Sequence, residues 1–303
     1  MLRGINLIKG ERIRVVENIH VKVWGGIGNQ LFVYAFARYI SLKWDGKVWL
    51  ETHSGFRGDG YHRIYKLDRF SITLPKSNFP SSLFFSFNRK YPLLKRLFFP
   101  SSRLIIENEN LPISNVNEVI PPFNLREKTI FYQGYWQHIN FLSIREVLLS
   151  ELQFNLPPNS LFEVLKAKVQ ASEAVCLHVR RVQYSQLLTL DYYRAAVSLL
   201  EKSCTSPCFF IFSDDLAWCR EQLSISYSCV YVDDFDDELY ELQLMSLCHH
   251  FIIANSSFSW WGAWLSQHPD KMVILPEDYL VSNMDGRVIQ IPSLKNYTKL
   301  AVI

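Results

Sequence analysis

Residues 208–264 read CFFIFSDDLAWCREQLSISYSCVYVDDFDDELYELQLMSLCHHFIIANSSFSWWGAW, and the way this stretch alternates decides the fold class. Cys208–Phe212 is a short apolar run and reads as a buried strand. Ser213, Asp214 and Asp215 then introduce a helix over Leu216–Leu223. Cys229–Val232 repeats the strand signal. Glu238–Cys248 follows as a helix with Leu239, Leu242, Met245 and Leu247 as its apolar positions. Phe251–Ala254 is a further strand, succeeded by a helix through Trp264. Downstream, Met272–Leu275 adds a strand. Upstream, Thr189 is placed to cap a helix over Leu190–Lys202, and Ala174–Leu177 reads as the strand before it. Repeated alternation of this kind builds a doubly wound parallel sheet, an α/β fold.

The first half opens on the same grammar. Residues 1–20 form a polar leader, and Val21–Trp24 is a short buried strand. Gly25, Gly26 and Gly28 follow, then an unbroken apolar helix from Leu31 to Leu42 packed on both sides, then a strand at Lys47–Leu50. This is the β-loop-α-β unit of parallel sheets. Residues 76–128 are interrupted by Pro80, Pro92, Pro100, Pro112, Pro121 and Pro122, so short helices and loops are expected there. Ile130–Tyr132 reads as a strand and Ile139–Leu152 as a helix. Pro157–Pro158 marks the boundary between halves, giving an N-terminal domain at 1–155 and a C-terminal one at 156–303.

The 303 residues suffice for two domains, and 49% hydrophobic with 20% charged residues supports a sizeable core. A net charge of +3, without a basic block, argues against nucleic acid as a partner. Cys176, Cys204, Cys208, Cys219, Cys229 and Cys248 are scattered and read as reduced thiols. Arg3, Lys9, Glu11, Arg12 and Arg14 precede no uninterrupted apolar run, so neither a secretory signal nor a membrane span is expected, and the cytosol is the simplest location.

In a parallel sheet, ligands bind beyond the carboxyl ends of the strands. There the sequence places His178-Val179-Arg180-Arg181, whose guanidinium forks match phosphate oxygens. A lone histidine such as His178 is more often structural. Asp214 and Asp215 either cap the next helix or receive hydrogen bonds from a base or ribose. Asn255-Ser256-Ser257-Phe258-Ser259 puts several hydroxyls at a helix start, more than capping requires and suited to phosphate. Gly25-Gly26-Ile27-Gly28-Asn29-Gln30 permits close backbone approach. Its third fingerprint glycine would fall at Leu31, so a dinucleotide site is excluded. Asp234-Phe235-Asp236 has the D-x-D spacing of metal-dependent transferases, but an acidic helix start explains it better. His249 and His250 are adjacent and point apart, so no metal site is read. Residues 83–106 mix Phe, Leu, Arg and Lys, which suits core packing first and an anionic membrane surface second.

GGIGNQLF at 25–32, YQGYWQ at 132–137, HVRR at 178–181, FIFSDD at 210–215 and ANSSFSWWGA at 254–263 together resemble the family eleven glycosyltransferases, the bacterial α-1,2-fucosyltransferases of surface polysaccharide synthesis. The resemblance implies a GT-B-like fold, two Rossmann-like domains with parallel sheets facing a central cleft. It implies an N-terminal acceptor side and a C-terminal GDP-fucose side. The expected reaction is inverting transfer of L-fucose from GDP-β-L-fucose to the 2-hydroxyl of a terminal galactoside, with neither metal nor cofactor. Arg180, Arg181 and His178 form the expected catalytic set, the arginines holding the diphosphate. Ser256, Ser257, Phe258 and Ser259 line the same donor site, Asp214 or Asp215 meets the guanosine, and Gly28 and Asn29 face the cleft. The family usually continues from the arginines as Gly-Asp-Tyr, where this chain has Val182-Gln183-Tyr184. Asp191, Asp59 and His178 are base candidates. The implied acceptor is a galactose-terminated, lipid-linked oligosaccharide, met at the inner face of the membrane. A transferase for another nucleotide sugar and a non-catalytic carbohydrate-binding protein are the alternatives.

Overall fold

The structure is a computed structural model. It describes residues 16–44, 46–78, 81–85, 91, 93, 97–107, 127–182, 188–233, 235–276, 280–282, 288–290 and 297–300. The chain begins with β1 (Asn18–Lys22), α1 (Ile27–Lys43) and β2 (Lys47–Glu51). β1 and β2 pair in parallel, Val21 against Leu50, so the glycine loop leads into a crossover helix as expected. β3 (Ser102–Ile106) and β4 (Thr129–Gln133) complete a four-stranded parallel sheet of order β2-β1-β4-β3.

α2 (Arg145–Glu151) and α3 (Ser160–Gln170) lead to the second sheet. There β5 (Glu173–Val179), α4 (Leu190–Glu201), β6 (Pro207–Ser213), α5 (Leu216–Gln222), β7 (Ser228–Tyr231), α6 (Glu238–Ser246), β8 (His250–Ile252), α7 (Ser257–Leu265) and β9 (Val273–Pro276) alternate as the sequence promised. β10 (Leu280–Ser282) and β11 (Val288–Gln290) form a small antiparallel pair, and β12 (Tyr297–Leu300) closes the edge. The six-stranded order is β12-β9-β8-β5-β6-β7, every pairing parallel. Two parallel sheets with crossover helices make this an α/β, GT-B-like fold.

Several expectations are corrected. β1 begins at Asn18, inside the stretch read as a leader, and the leader's residues 1–15 lie outside the described residues. β3 arises within the proline-broken region, where an edge strand with no clear burial alternation leaves no periodic signal. The helix expected over Ile139–Leu152 is split into a 3-10 turn at Ile139–Leu142 and α2. β5 runs on to Val179, so His178 lies inside the strand rather than after it.

The second half's helix starts are capped as their residue types dictate. Asn159, Thr189, Asp215, Asp237 and Ser256 each accept a hydrogen bond from a first-turn N–H. α1 differs: Gly26 offers no side-chain cap, and no acidic residue follows in the first turn. From Ile27 to Ile40 this helix is buried on nearly every side. Phe32 packs against Trp260 and Trp261 of α7, ring centroids 4.9 and 5.0 Å apart. Glu151, buried in α2, accepts from Tyr34 Oη at 2.5 Å and Arg38 Nε at 2.8 Å, tying α2 to α1. A single apolar interior thus runs from the first sheet through α1 and α7 to the second.

Candidate active site

The carboxyl end of the six-stranded sheet gathers most of the expected residues. β5 and β6 pair with Val179 opposite Ser213, which sets Arg180 beside Asp214. The Asp214 carboxylate accepts from the Arg181 N–H at 2.8 Å and the Val182 N–H at 3.4 Å, and lies 3.5 Å from Arg180 Nε. Tyr193 Oη, from α4, accepts from the Arg180 N–H at 3.4 Å. The Arg181 guanidinium stacks over the Trp218 ring at 4.1 Å. Elements on three sides therefore hold the arginine turn before any ligand arrives, which is the preorganisation that electrostatic catalysis needs.

This gives both aspartates structural work. Asp215 caps α5 by accepting from the Trp218 N–H at 2.9 Å. Asp214, one of the two aspartates expected against guanosine, grips the arginine turn. Val182 is exposed, and Gln183 and Tyr184 lie outside the described residues.

His178 is buried in β5, its ring 6.0 Å from that of Phe258. Burial, and then the nearby Arg180 charge, hold its pKa well below the usual imidazole value, so it is neutral at physiological pH and a weak base. Ser256 caps α7, accepting from the Phe258 N–H at 3.3 Å, and Ser257 begins the helix half-exposed. Ser259 departs from expectation: it is fully buried and donates to the Ser256 carbonyl at 3.4 Å, so it faces the interior rather than a donor.

Gly28 lies where the starts of α1 and α7 meet. A Cβ there would come within 2.6 Å of the Ser257 carbonyl carbon and 2.7 Å of the Phe258 nitrogen, so protein occupies that space. Asn29 Oδ1 accepts from Gln137 Nε2 at 2.8 Å, joining the glycine loop to the 132–137 segment. Of the base candidates, Asp191 is on the solvent side of α4, 3.7 Å from Arg194. Asp59 lies in the loop after β2, its Oδ2 accepting from the Tyr61 and Arg63 N–H groups at 3.2 and 2.9 Å. Asp234 is outside the described residues, Asp236 is exposed, and the neighbouring Asp237 caps α6.

Three residues went unassigned in the sequence. Gln30 is buried and donates from Nε2 to the Gly25 and Ile64 carbonyls, both at 2.9 Å, while Oε1 accepts from the Lys66 N–H at 2.9 Å. Lys66 Nζ bridges to Asp237 at 2.8 Å and to Glu238, joining the first sheet's loop to α6. Glu241, on the next turn of α6, has its pKa raised to about 7 by burial, with the like charges of Glu238 and Asp233 adding and Arg180 opposing. No local signal marks these residues: Gln30 and Lys66 each have a partner more than 30 residues away, and Glu241 is perturbed chiefly by burial.

At the amino ends of β5, β6 and β8 lies a separate cavity of about 770 Å³ lined by Glu173, Cys208, Tyr227, His249, His250 and His268. Glu173, Cys204 and His250 have donor atoms within 4.8 Å of one another there. Hydrogen bonds already engage this set. Glu173 accepts from the Thr205 and Ser206 N–H groups at 2.9 and 2.8 Å, and His250 Nδ1 accepts from the Met272 N–H at 3.2 Å. An imidazole accepting at Nδ1 carries its proton on Nε2 and has no lone pair left for a metal. These side chains satisfy orphan backbone donors at the rim of the sheet.

In the 83–106 stretch, Phe84, Phe85, Phe99 and Leu104 pack on Phe131, while Leu93, Leu97 and Phe98 are exposed. Among the described residues, no helix is long and apolar enough to cross a membrane.

Comparison with known proteins gives a consistent picture. The family model described as Glycosyl transferase family 11 matches residues 18–283. An alpha-1,2-colitosyltransferase of Escherichia coli is 27% identical over 277 residues, 83% of this chain and 89% of that protein. The O-antigen biosynthesis glycosyltransferase WbnK of Escherichia coli is 28% identical over 297 residues, 87% of this chain and 95% of the relative. Among solved structures, an Arabidopsis thaliana FUT1 mutant in complex with GDP aligns with a TM-score of 0.54 at 12% identity, covering 96% of this chain and 77% of that one, a likeness of fold.

Proposed function

Because this chain belongs to glycosyl transferase family 11 and is a glycosyltransferase, we propose that it transfers L-fucose from GDP-β-L-fucose to the 2-hydroxyl of a terminal galactoside, with inversion to an α-1,2 linkage, in O-antigen or related surface polysaccharide synthesis. The observation that carries this reading is the Arg180–Arg181 turn, held by Asp214 beside the α7 helix start.

In a single displacement, the acceptor oxygen attacks the anomeric carbon as the bond to the diphosphate breaks. The electron pair leaves with GDP, and the hydroxyl proton passes to a base. Negative charge grows on the leaving phosphate, where Arg180 and Arg181 stabilise it together with the α7 N–H groups. Two arginines supply the charge a divalent cation provides elsewhere, so no metal is required. Ser256 and Ser257 line the phosphates, with Phe258 alongside. Of the base candidates we favour Asp59, since Asp191 points to solvent and His178 is buried and weakly basic. The acceptor is a galactose-terminated, lipid-linked oligosaccharide reached from the cytoplasmic face, with Leu93, Leu97 and Phe98 resting on the membrane surface. The likeness to an alpha-1,2-colitosyltransferase supports a second reading, in which the transferred sugar is colitose.

Isothermal titration in EDTA tests the donor. GDP should bind the wild type and UDP should not. Arg181→Ala should weaken GDP about 10- to 100-fold, as expected when hydrogen bonds to a charged group worth ~1.5–3 kcal/mol are lost. Binding of GDP only with added metal, or equal binding of UDP, would overturn the reading. Turnover of the fucosyl against the colitosyl donor then decides between the two sugars.

A further inference from the structure

The loop after β2 carries a cation that the donor site described above does not use. We infer that Arg63 is a further donor-binding residue, gripping the sugar-linked phosphate of the nucleoside diphosphate from the side of the first sheet. The inference rests on the proposed GDP-sugar reading.

The loop is rigid where it matters. Asp59 Oδ2 accepts from the N–H groups of Tyr61 and Arg63, closing a turn in which His62 takes φ 53°, a left-handed conformation uncommon away from glycine. Residues held in this way concentrate at functional sites. Beyond the turn, Gln30 of α1 binds the Ile64 carbonyl and the Lys66 N–H, and Lys66 reaches across to Asp237 and Glu238 of α6. The segment carrying Arg63 is therefore anchored to helices from both halves.

The half-buried Arg63 side chain points back over the start of α1. Its guanidinium stacks on Tyr61 at 4.3 Å, and its Nε lies 3.9 Å from where a Cβ on Gly26 would stand. Two residues on, Gly28 meets Ser257 and Phe258 of α7, and Phe258 packs near His178, two residues before Arg180. A relay of contacts thus runs from Arg63 over the start of α1 to the start of α7 and on to His178, in the strand that leads to Arg180.

Its electrostatic setting calls for an anion. A helix start is the positive end of the helix dipole and repels a cation. α1 has no acidic residue in its first turn to offset this. Among the described residues, no carboxylate lies within 4.0 Å of the Arg63 guanidinium. A phosphate between Arg63 and the arginine turn relieves the repulsion. It also places a positive group on the oxygen that receives the electron pair as the sugar departs.

Titration of GDP and GMP against wild type, Arg63→Ala and Arg63→Lys tests this. Thermal denaturation serves as the folding control. Arg63→Ala should weaken GDP about 10- to 100-fold while leaving GMP, which lacks the sugar-linked phosphate, within about twofold. Arg63→Lys should restore part of the loss, since it keeps the charge without the fork. If the wild type fails to bind GDP, the donor reading falls and this inference with it. If the wild type binds GDP and Arg63→Ala binds it equally well, or loses GDP and GMP alike, this inference alone is overturned.

Discussion

Gly28 and Glu241 show what a single residue contributes here. The missing side chain at Gly28 lets two helix starts touch, and besides the Ser257 hydroxyl a Cβ there would strike the Ser257 carbonyl carbon and the Phe258 nitrogen, backbone atoms unable to swing aside. Gly28→Ala should destabilise by ~1–3 kcal/mol, the usual range for overpacking, read as a lower Tm. An unchanged Tm would mean the helix starts separate without cost. Glu241 governs a pH effect. Its folded pKa of about 7 lies above the ordinary value of 4.5, so the stability it contributes is complete below pH 4.5 and is lost as pH rises through 7. In thermal melts, Glu241→Gln should grow steadily more stable relative to wild type between pH 5 and pH 8. A pH-independent gap would refute the raised pKa. The placement of Arg180 and Arg181 at a strand end and of Ser256 at a helix start was legible from the sequence, because such ends announce themselves locally. Ser259 misled, because a hydroxyl one turn into a helix carries no mark of which way it faces. Gln30 and Lys66 were silent, since their partners at Ile64, Asp237 and Glu238 lie far along the chain, and Glu241 was silent because only the fold buries it.

The elements divide along the same line. The strands β4, β5, β6, β8 and β9 and the helices α4–α7 were readable because largely buried strands are apolar runs and their helices begin on capping residues; β7, a half-covered edge, was readable from its Cys229–Val232 apolar run alone. The edge strands β3 and β12, half-covered and short, carry no such pattern. The 139–152 segment has helical composition throughout, yet it folds as a 3-10 turn followed by the seven-residue α2. The contact that matters most between elements is α1 on α7. Phe32 sits between two tryptophans, and Phe32→Ala should cost ~3–5 kcal/mol by leaving a cavity in the shared interior. Chemical denaturation measures this. A loss below ~1 kcal/mol would show that the tryptophans close over the gap.

Across the whole molecule, the segments that follow β1 in one sheet and β8 in the other meet where Gly28 faces Ser257 and Phe258, while side-chain caps occupy the amino end of the larger sheet. The glycine loop belongs to one sheet and the arginine turn to the other, so neither sheet alone carries the whole proposed site. α1 has almost no outward face: from Ile27 to Ile40 it is enclosed by its own sheet on one side and by the tryptophans of α7 on the other. Its ownership is therefore shared. A cut at Pro157–Pro158 would strip α1 of half its cover and lay bare Phe32 on one fragment and Trp260 and Trp261 on the other. The two halves are neighbours in sequence but not exchangeable parts, and a sheet borrowed from a relative would have to bring a matching surface for α1.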